Sequence, residues 1–526
     1  MAQLQQQAIA DDASELGYWG TDPAKFTGWK THSNRLIPVY TFGTKAGGSG
    51  IDLMNYQGEH SPYRSEEQLR RIYGYLPEQS VNAKAEYLDQ TNIADIQRAA
   101  AAAGRKYIFL IVFDGMDWES TRCAAIYNQK AITYESGRGQ GTHFQTYDAA
   151  GTAQFGYMVT SPHNEGTDVD VDAQTVTNPG GKIRGGYNAE FGGSAPWDAP
   201  SDPGYLIAKP QDGHPRHAYT DSSSSATSMT TGAKTFNNGV GVGADGAQLS
   251  TIAHELQAEG WAVGAISSVP VSHATPASAY AHNVSRDDYQ DLSRDLLGLP
   301  SVAHPDQPLP GLDVLIGGGY GTEGENGKKQ GSNYEPGNIY LAGSDLKRVQ
   351  VSEGGRYITA VRTEGVSGTD NLQNAAETAA REGHRLLGFF GVGHTNGHLP
   401  FQTANGDFHP VRGVGKKAEV YSEGDLRENP VLADMTRAAL TVLESRKQNF
   451  WLMVEAGDVD WANHDDNFDN SIGAVNSGDA AVKVVTDWVE THSNWNESLV
   501  IVTADHGHMF RLTHPELLTG KQAAAE

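Results

Sequence analysis

The stretch YIFLIVF (residues 107–113), followed at once by DGMDW (114–118), decides the reading of the fold. Its apolar residues run without interruption, so it does not alternate as a strand with one wet face would. A continuous run of this length suits a strand buried on both faces of a mainly parallel sheet. The same pattern recurs outward along the chain. WAVGAI (261–266) stops at Ser267, DVLI (313–316) at three glycines, and LLGFF (386–390) at Gly391. FWLMV (450–454) stops at Glu455, and LVIVT (499–503) ends just before Asp505 and His506. Helical patterns lie between them, for example over 370–383 and 430–446. The expected fold is α/β: a large, mainly parallel central sheet flanked by helices on both faces. Ligands of open α/β sheets bind beyond the carboxyl ends of the strands. Acidic residues and histidines stand at those ends here.

Residues 1–104 differ from the rest. They carry aromatic and turn-forming residues and end in the alanine-rich IADIQRAAAAAGRK, with Gly104 as a helix stop. They read as an N-terminal extension packed on a catalytic domain of residues 105–526. Glycine-, asparagine- and proline-rich stretches near 135–215 and within 320–415 read as loop insertions over the sheet edge.

The 526 residues carry a formal net charge of −25. That argues against nucleic-acid binding, which needs a basic footprint. An anionic substrate would be repelled at long range, so its site must bring its own positive charge. Cys123 is the only cysteine, which rules out an intrachain disulfide and a thiolate metal cluster. A lone thiol fits the cytoplasm, but a large secreted protein needs no disulfides either. The N-terminal segment has no apolar stretch of signal-peptide type, and no apolar run is long enough to span a membrane. The expectation is a cytoplasmic protein or one whose leader has been removed.

Five segments carry chemistry. EAGDVDWANH (455–464) sets Glu455, Asp460 and His464 after a strand. Asp460 and His464 are one helical turn apart and share a face, as a zinc-chelating pair would. The segment also reads as a solvated acidic loop. TADHGH (503–508) presents Asp505, His506 and His508 after another strand, as metal ligands or as structural caps. Asp114 before Gly115 is a ligand position or a turn residue. TDSSSSATSMTTGAKT (220–235) places Ser222 at the start of a helix, where backbone N–H groups favour an anion or an alkoxide. Ala226, Met229 and Ala233 at helical spacing argue against a serine-rich linker. SHATPASAYAHNVSR (272–286) offers Thr275 as a neutral oxygen ligand and Arg286 as a fork for phosphate or a surface charge.

In this order and register the segments resemble the alkaline phosphatase family over roughly residues 105–510. The nucleophile motif reads Asp221-Ser222 through Ala226-Thr227, then Thr231-Gly232 and Lys234-Thr235. The Asp-Gly-Met motif is Asp114 to Met116, the metal motif is Glu455, Asp460 and His464, and the Thr-Ala-Asp-His motif is Thr503 to His506. The resemblance implies two zinc ions and one magnesium. One zinc would sit on Asp460, His464 and a further histidine, the second on Asp114, Asp505 and His506. The magnesium would sit on Asp114, Thr275 and Glu455. Arg286 would bind phosphate and Asp221 would orient it, with His508 behind a zinc-ligating aspartate. Three divalent ions and Arg286 outweigh the four carboxylates and would suit a phosphate dianion.

Three positions depart from the family's best-known pattern. The further histidine lies well downstream in the family, but beyond His508 this sequence offers only His514; His394 and His398 are the alternatives. His273 stands where an aspartate near the magnesium is frequent, and Trp461 where lysine or histidine is. The implied activity is hydrolysis of small phosphomonoesters through a phosphoserine on Ser222. The rivals are a phosphodiesterase or other hydrolase of the same superfamily, and a non-catalytic metal- or phosphate-binding protein. The resemblance also implies a periplasmic or secreted location and a possible homodimer.

Overall fold

The computed structural model describes residues 1–520 except 326, 328, 415 and 416. Its central sheet has ten strands. In chain order these are β1 (Ile37–Phe42), β2 (Leu88–Asp89), β3 (Tyr107–Phe113), β4 (Gln154–Val159), β5 (Ala262–Pro270), β6 (Val314–Gly318), β7 (Tyr357–Val361), β8 (Arg385–Phe389), β9 (Phe450–Ala456) and β10 (Ser498–Ala504). Across the sheet the order is β7-β8-β6-β5-β9-β3-β10-β1-β4-β2. From β7 to β10 every neighbouring pair is parallel. β1 is antiparallel to both β10 and β4, and β2 is parallel to β4. One strand therefore runs against the other nine, and the sheet is mainly parallel as expected.

All six apolar runs read from the sequence are sheet strands. Every residue of β5, β9 and β10 is buried, so both faces of the sheet are covered there. Each buried Val, Leu or Ile contributes about 1.5–3 kcal/mol by leaving water. The helices expected at 370–383 and 430–446 span Gly368–Glu382 and Leu432–Ser445. Ser367 caps the first by accepting the amide of Asp370. Gly383 ends it in a left-handed conformation.

The N-terminal 104 residues need correction. They are not an extension packed on a finished core, because β1 and β2 hydrogen-bond into the central sheet itself. Pro38 inside IPVYTF hid this strand, since proline lacks the N–H that a central strand donates. Its carbonyl is still used, accepting the Thr503 hydroxyl at 2.8 Å. The segment before β1 is tied down too. Gln5 donates to the Asp466 carbonyl and accepts the Phe468 amide. Gly17–Trp19 pairs antiparallel with Phe510–Leu512. The rings of Trp19, Phe26, Phe468 and Phe510 then pack with centroids 4.6–5.8 Å apart. The stretch 135–215 likewise holds β4 and is not loop throughout.

The register of the central strands positions the site. Phe113 of β3 lies opposite Ala456 of β9 on one side and Ala504 of β10 on the other. Asp114 and Asp505 therefore leave adjacent parallel strands at one level, and Glu455, opposite Val112, lies near the end of the strand beside them.

Candidate functional site

Four consecutive serines open the helix Ser222–Thr231, and their hydroxyls do different things. Ser223 donates to Asp221 Oδ2 at 2.8 Å. Ser224 bonds Thr220 and Asn237. Ser225 donates to the Asp505 carbonyl at 2.8 Å. Ser222 alone faces the carboxylate–imidazole cluster, with Oγ 3.4 Å from Asp114 Oδ1 and 3.2 Å from His506 Nε2. The helix N-terminus lies under it, with its partial positive charge. Asp221 caps that helix by accepting the Ser224 amide at 3.0 Å.

Asp114, Asp505 and His506 form one group of potential metal ligands. His506 Nε2 lies 3.3 Å from Asp114 Oδ1 and 3.3 Å from Asp505 Oδ2. Asp505 Oδ1 accepts the amides of Gly115 and His506, which fixes the carboxylate. Gly115 has φ +72°, and a Cβ there would sit 2.6 Å from His508 Nε2. Only glycine lets the chain turn this close behind Asp114.

Asp460 is the centre of a second group. Its Oδ1 lies 2.7 Å from His508 Nε2, 3.4 Å from His464 Nε2 and 3.5 Å from His32 Nε2. His32 belongs to none of the sequence motifs. Its Nδ1 faces the Thr220 carbonyl at 2.9 Å, and His464 Nδ1 faces the Lys30 carbonyl at 2.6 Å. A carbonyl can only accept, so both imidazoles carry their proton on Nδ1 when neutral. That leaves the two Nε2 lone pairs 3.1 Å apart, beside a carboxylate oxygen. Two lone pairs and an anion converging on one point call for a cation. Burial works against a charge on His32, yet Asp460 draws its pKa upward. Burial also opposes the charge on Asp460, but His464, His32 and His508 hold its carboxyl well below the usual range.

Glu455 and Thr275 lie side by side below Asp114. Glu455 Oε2 accepts the Ser267 hydroxyl, and the Thr275 hydroxyl lies against the same buried carboxyl. Burial pushes the Glu455 carboxyl up to about 8, with the charges of Asp505 and Asp460 adding to it. Burial and the neighbouring carboxylates push Asp114 well above the usual range, and burial lifts Asp505 to about 6. Asp114 Oδ2 and Asp505 Oδ2 are also buried and without partners. Unsatisfied carboxylate oxygens at this density are costly unless cations share them. Oxygen and imidazole donors in these sets fit zinc, and the all-oxygen set of Asp114, Thr275 and Glu455 fits magnesium.

Arg286 is partly buried at the edge of the cluster and donates from Nη1 to Asp221 Oδ2 at 3.0 Å. Although burial opposes the charge, Arg286 holds the Asp221 carboxyl below its ordinary value. His273 stands just before the short helix Ala274–Ser278 that carries Thr275, without a side-chain cap bond to it. Burial, with Arg286 nearby, pushes His273 down to about 3, so it is neutral. It meets Trp461 edge to face at 5.6 Å.

Other sequence candidates lie elsewhere. His514, the tentative further ligand, is 57% exposed and bonds Glu516, so it is corrected to a surface residue. It sits just past the strand Phe510–Leu512, whose pairing with Gly17–Trp19 turns the chain outward. His398 stacks on Phe401 at 3.7 Å and bonds Glu419. His394 lines a cavity of about 440 Å³ beside Trp461. The histidine placed beside Asp460 and His464 is His32. No local signal marked it, since THSNR carries no ligand spacing and lies 432 positions from His464.

Comparison with known proteins gives the same direction. The family model described as "Alkaline phosphatase" matches residues 205–524. Alkaline phosphatase 4 of Bacillus subtilis is 26% identical over 306 residues, covering 58% of this chain and 52% of that protein. The alkaline phosphatase of Escherichia coli K12 is 28% identical over 305 residues, covering 56% and 60%. Streptomycin-6-phosphate phosphatase of Streptomyces griseus is 29% identical over 301 residues, covering 55% and 61%. The chain thus spans between half and two thirds of the length of these relatives. Among solved structures, the cold-active alkaline phosphatase of Shewanella sp. aligns at a TM-score of 0.43 and 19% identity, over 76% of this chain and 68% of that one. The matched span exceeds half of the sequence and contains the serine helix, the arginine and the strand ends at Glu455 and Asp505, and on that ground the chain belongs to the alkaline phosphatase family.

Proposed function

We propose that this protein hydrolyses phosphate monoesters through a phosphoserine formed on Ser222. One observation carries the reading: of four adjacent serine hydroxyls, only Ser222 is aimed at the buried cluster of Asp114, His506 and Asp460. Two zinc ions, on Asp460, His464 and His32 and on Asp114, Asp505 and His506, with a magnesium on Asp114, Thr275 and Glu455, would supply Lewis acidity and neutralise phosphate charge.

The chain's own groups do the rest. Ser222 Oγ attacks phosphorus, the ester P–O bond breaks, and the alcohol leaves with a proton. Water then cleaves the phosphoserine, returning the proton to Ser222 and releasing phosphate. Arg286, held by Asp221, presents its remaining N–H groups to the phosphoryl oxygens and stabilises the charge they gain. Asp221 thus acts by orienting Arg286 and the helix, since its oxygens are taken by Ser223, Ser224, Asn238 and Arg286. His508 holds Asp460 in place.

A dianionic monoester would suit this site better than a diester, because Arg286 and the cations held by these carboxylates and imidazoles would balance its second negative charge. Export from the cytoplasm and a homodimer belong to the same reading and are carried by the family resemblance alone. With zinc and magnesium supplied, p-nitrophenyl phosphate should turn over faster than bis-p-nitrophenyl phosphate; the reverse order overturns the monoesterase. Ser222→Ala should lower kcat by roughly four orders of magnitude. Full activity in that variant would remove the phosphoserine route, and an inactive wild type would leave a non-catalytic binder.

A further inference from the structure

Away from the serine helix, three potential ligands meet among His282, Asp295 and His304. His282 follows the Thr275 helix and precedes Arg286 by four residues. Asp295 lies in the helix Tyr289–Leu297, and His304 in the loop after it. His282 Nε2 faces the Leu249 carbonyl at 2.7 Å. It therefore carries the proton, and the Nδ1 lone pair points inward. His304 Nε2 lies 2.8 Å from that lone pair and 3.9 Å from Asp295 Oδ2. All three ligand atoms fall within 4.8 Å of one another.

Asp295 makes the group more than a histidine pair. It is fully buried, and its Oδ1 has no hydrogen-bond partner. Its Oδ2 accepts the His282 amide at 2.9 Å, and the Ser301 hydroxyl lies close enough to bond the carboxyl as well. Burial pushes its carboxyl up to about 8 despite the nearby Ser301 hydroxyl and that amide. Arg294, the next residue, turns away to Asp345 and Asp291. A buried carboxyl beside two imidazoles that burial keeps neutral, with one ligand atom of each converging, suits a cation. The outward N–H of His282 held by a carbonyl is the arrangement that orients metal-bound imidazoles.

We propose that His282, Asp295 and His304 bind a further divalent metal of the zinc type, separate from the Ser222 cluster. Two imidazoles and one carboxylate suit zinc with water in the fourth position. The ion would tie the loop that leads to Arg286 to the helix and loop that follow it, and so hold the phosphate-gripping arginine from behind.

The test is metal stoichiometry of the full chain, equilibrated with zinc alone and freed of excess. Wild type should hold one more zinc per chain than His304→Ala, whatever the Ser222 cluster retains. Asp460→Asn, which alters only that cluster, should still lose one equivalent when combined with His304→Ala. Zinc should also raise the Tm of Asp460→Asn more than that of the double variant. His304→Gln, which keeps a polar side chain, guards against a loosened loop. Equal zinc counts in wild type and either folded His304 variant overturn the proposal.

Discussion

His32 stands where sequence order pointed to His514. His514 is near the Asp-His motif in the chain, yet its ring is turned to solvent and to Glu516. His32 is remote in sequence, yet its Nε2 lone pair meets that of His464 over Asp460. Metal binding depends on where lone pairs converge, and the carbonyls of Thr220 and Lys30 set that by fixing both tautomers. His32→Ala should therefore cost one zinc equivalent at moderate zinc and most of the turnover, whereas His514→Ala should leave both unchanged. Metal analysis of the two variants beside wild type checks this; a zinc loss in His514→Ala would reverse the assignment. If His508 braces Asp460 as proposed, His508→Ala should weaken zinc about 10–100-fold.

At the scale of elements, the helix Ser222–Thr231 depends on its cap. Asp221 closes the helix through the Ser224 amide and pins Arg286 with its other oxygen. Asp221→Ala should destabilise the fold by about 0.5–2 kcal/mol through the lost cap. It should also raise KM for the monoester, because Arg286 loses the partner that aims it. Thermal unfolding and steady-state kinetics read the two effects separately, and an unchanged KM would deny Asp221 its orienting part. The strand elements were legible as continuous apolar runs because sheet burial on both faces removes any need for polar alternation. β1 and β4 were not, since β1 contains Pro38 and β4 lies in a glycine-rich stretch. Their strand state comes from pairing, β1 with β10 and β4, and β4 with β1 and β2.

At the scale of the molecule, a chain of net charge −25 gathers Asp114, Glu455, Asp460 and Asp505 in its interior. Cations must balance them, which gives a pH dependence with a definite sign. Glu455 is lifted to about 8, Asp505 to about 6, and Asp114 well above its ordinary value. A carboxyl whose folded pKa is raised favours the folded state while protonated. Its stabilising effect is complete below the unfolded value near 4 and is lost as pH rises through the folded value. Chelated protein should therefore lose Tm steadily between about pH 4 and 8, and zinc with magnesium should restore most of the loss at the alkaline end. Differential scanning fluorimetry with and without chelator measures it. A chelated protein whose Tm stays level across that range would mean the carboxylates are satisfied without metal.

By itself the sequence determined the α/β class and the strands that end in carboxylates, because each is written in a run of a few residues, and through its motifs and their family resemblance it offered Ser222 and the motif residues as candidates. Tertiary structure decided the rest. It drew residues 1–104 into the sheet, brought His32 to Asp460 and His464, and turned His514 away. A ligand set is a meeting of lone pairs in space, and when the ligands come from opposite ends of the chain, only strand pairing and packing can bring them together.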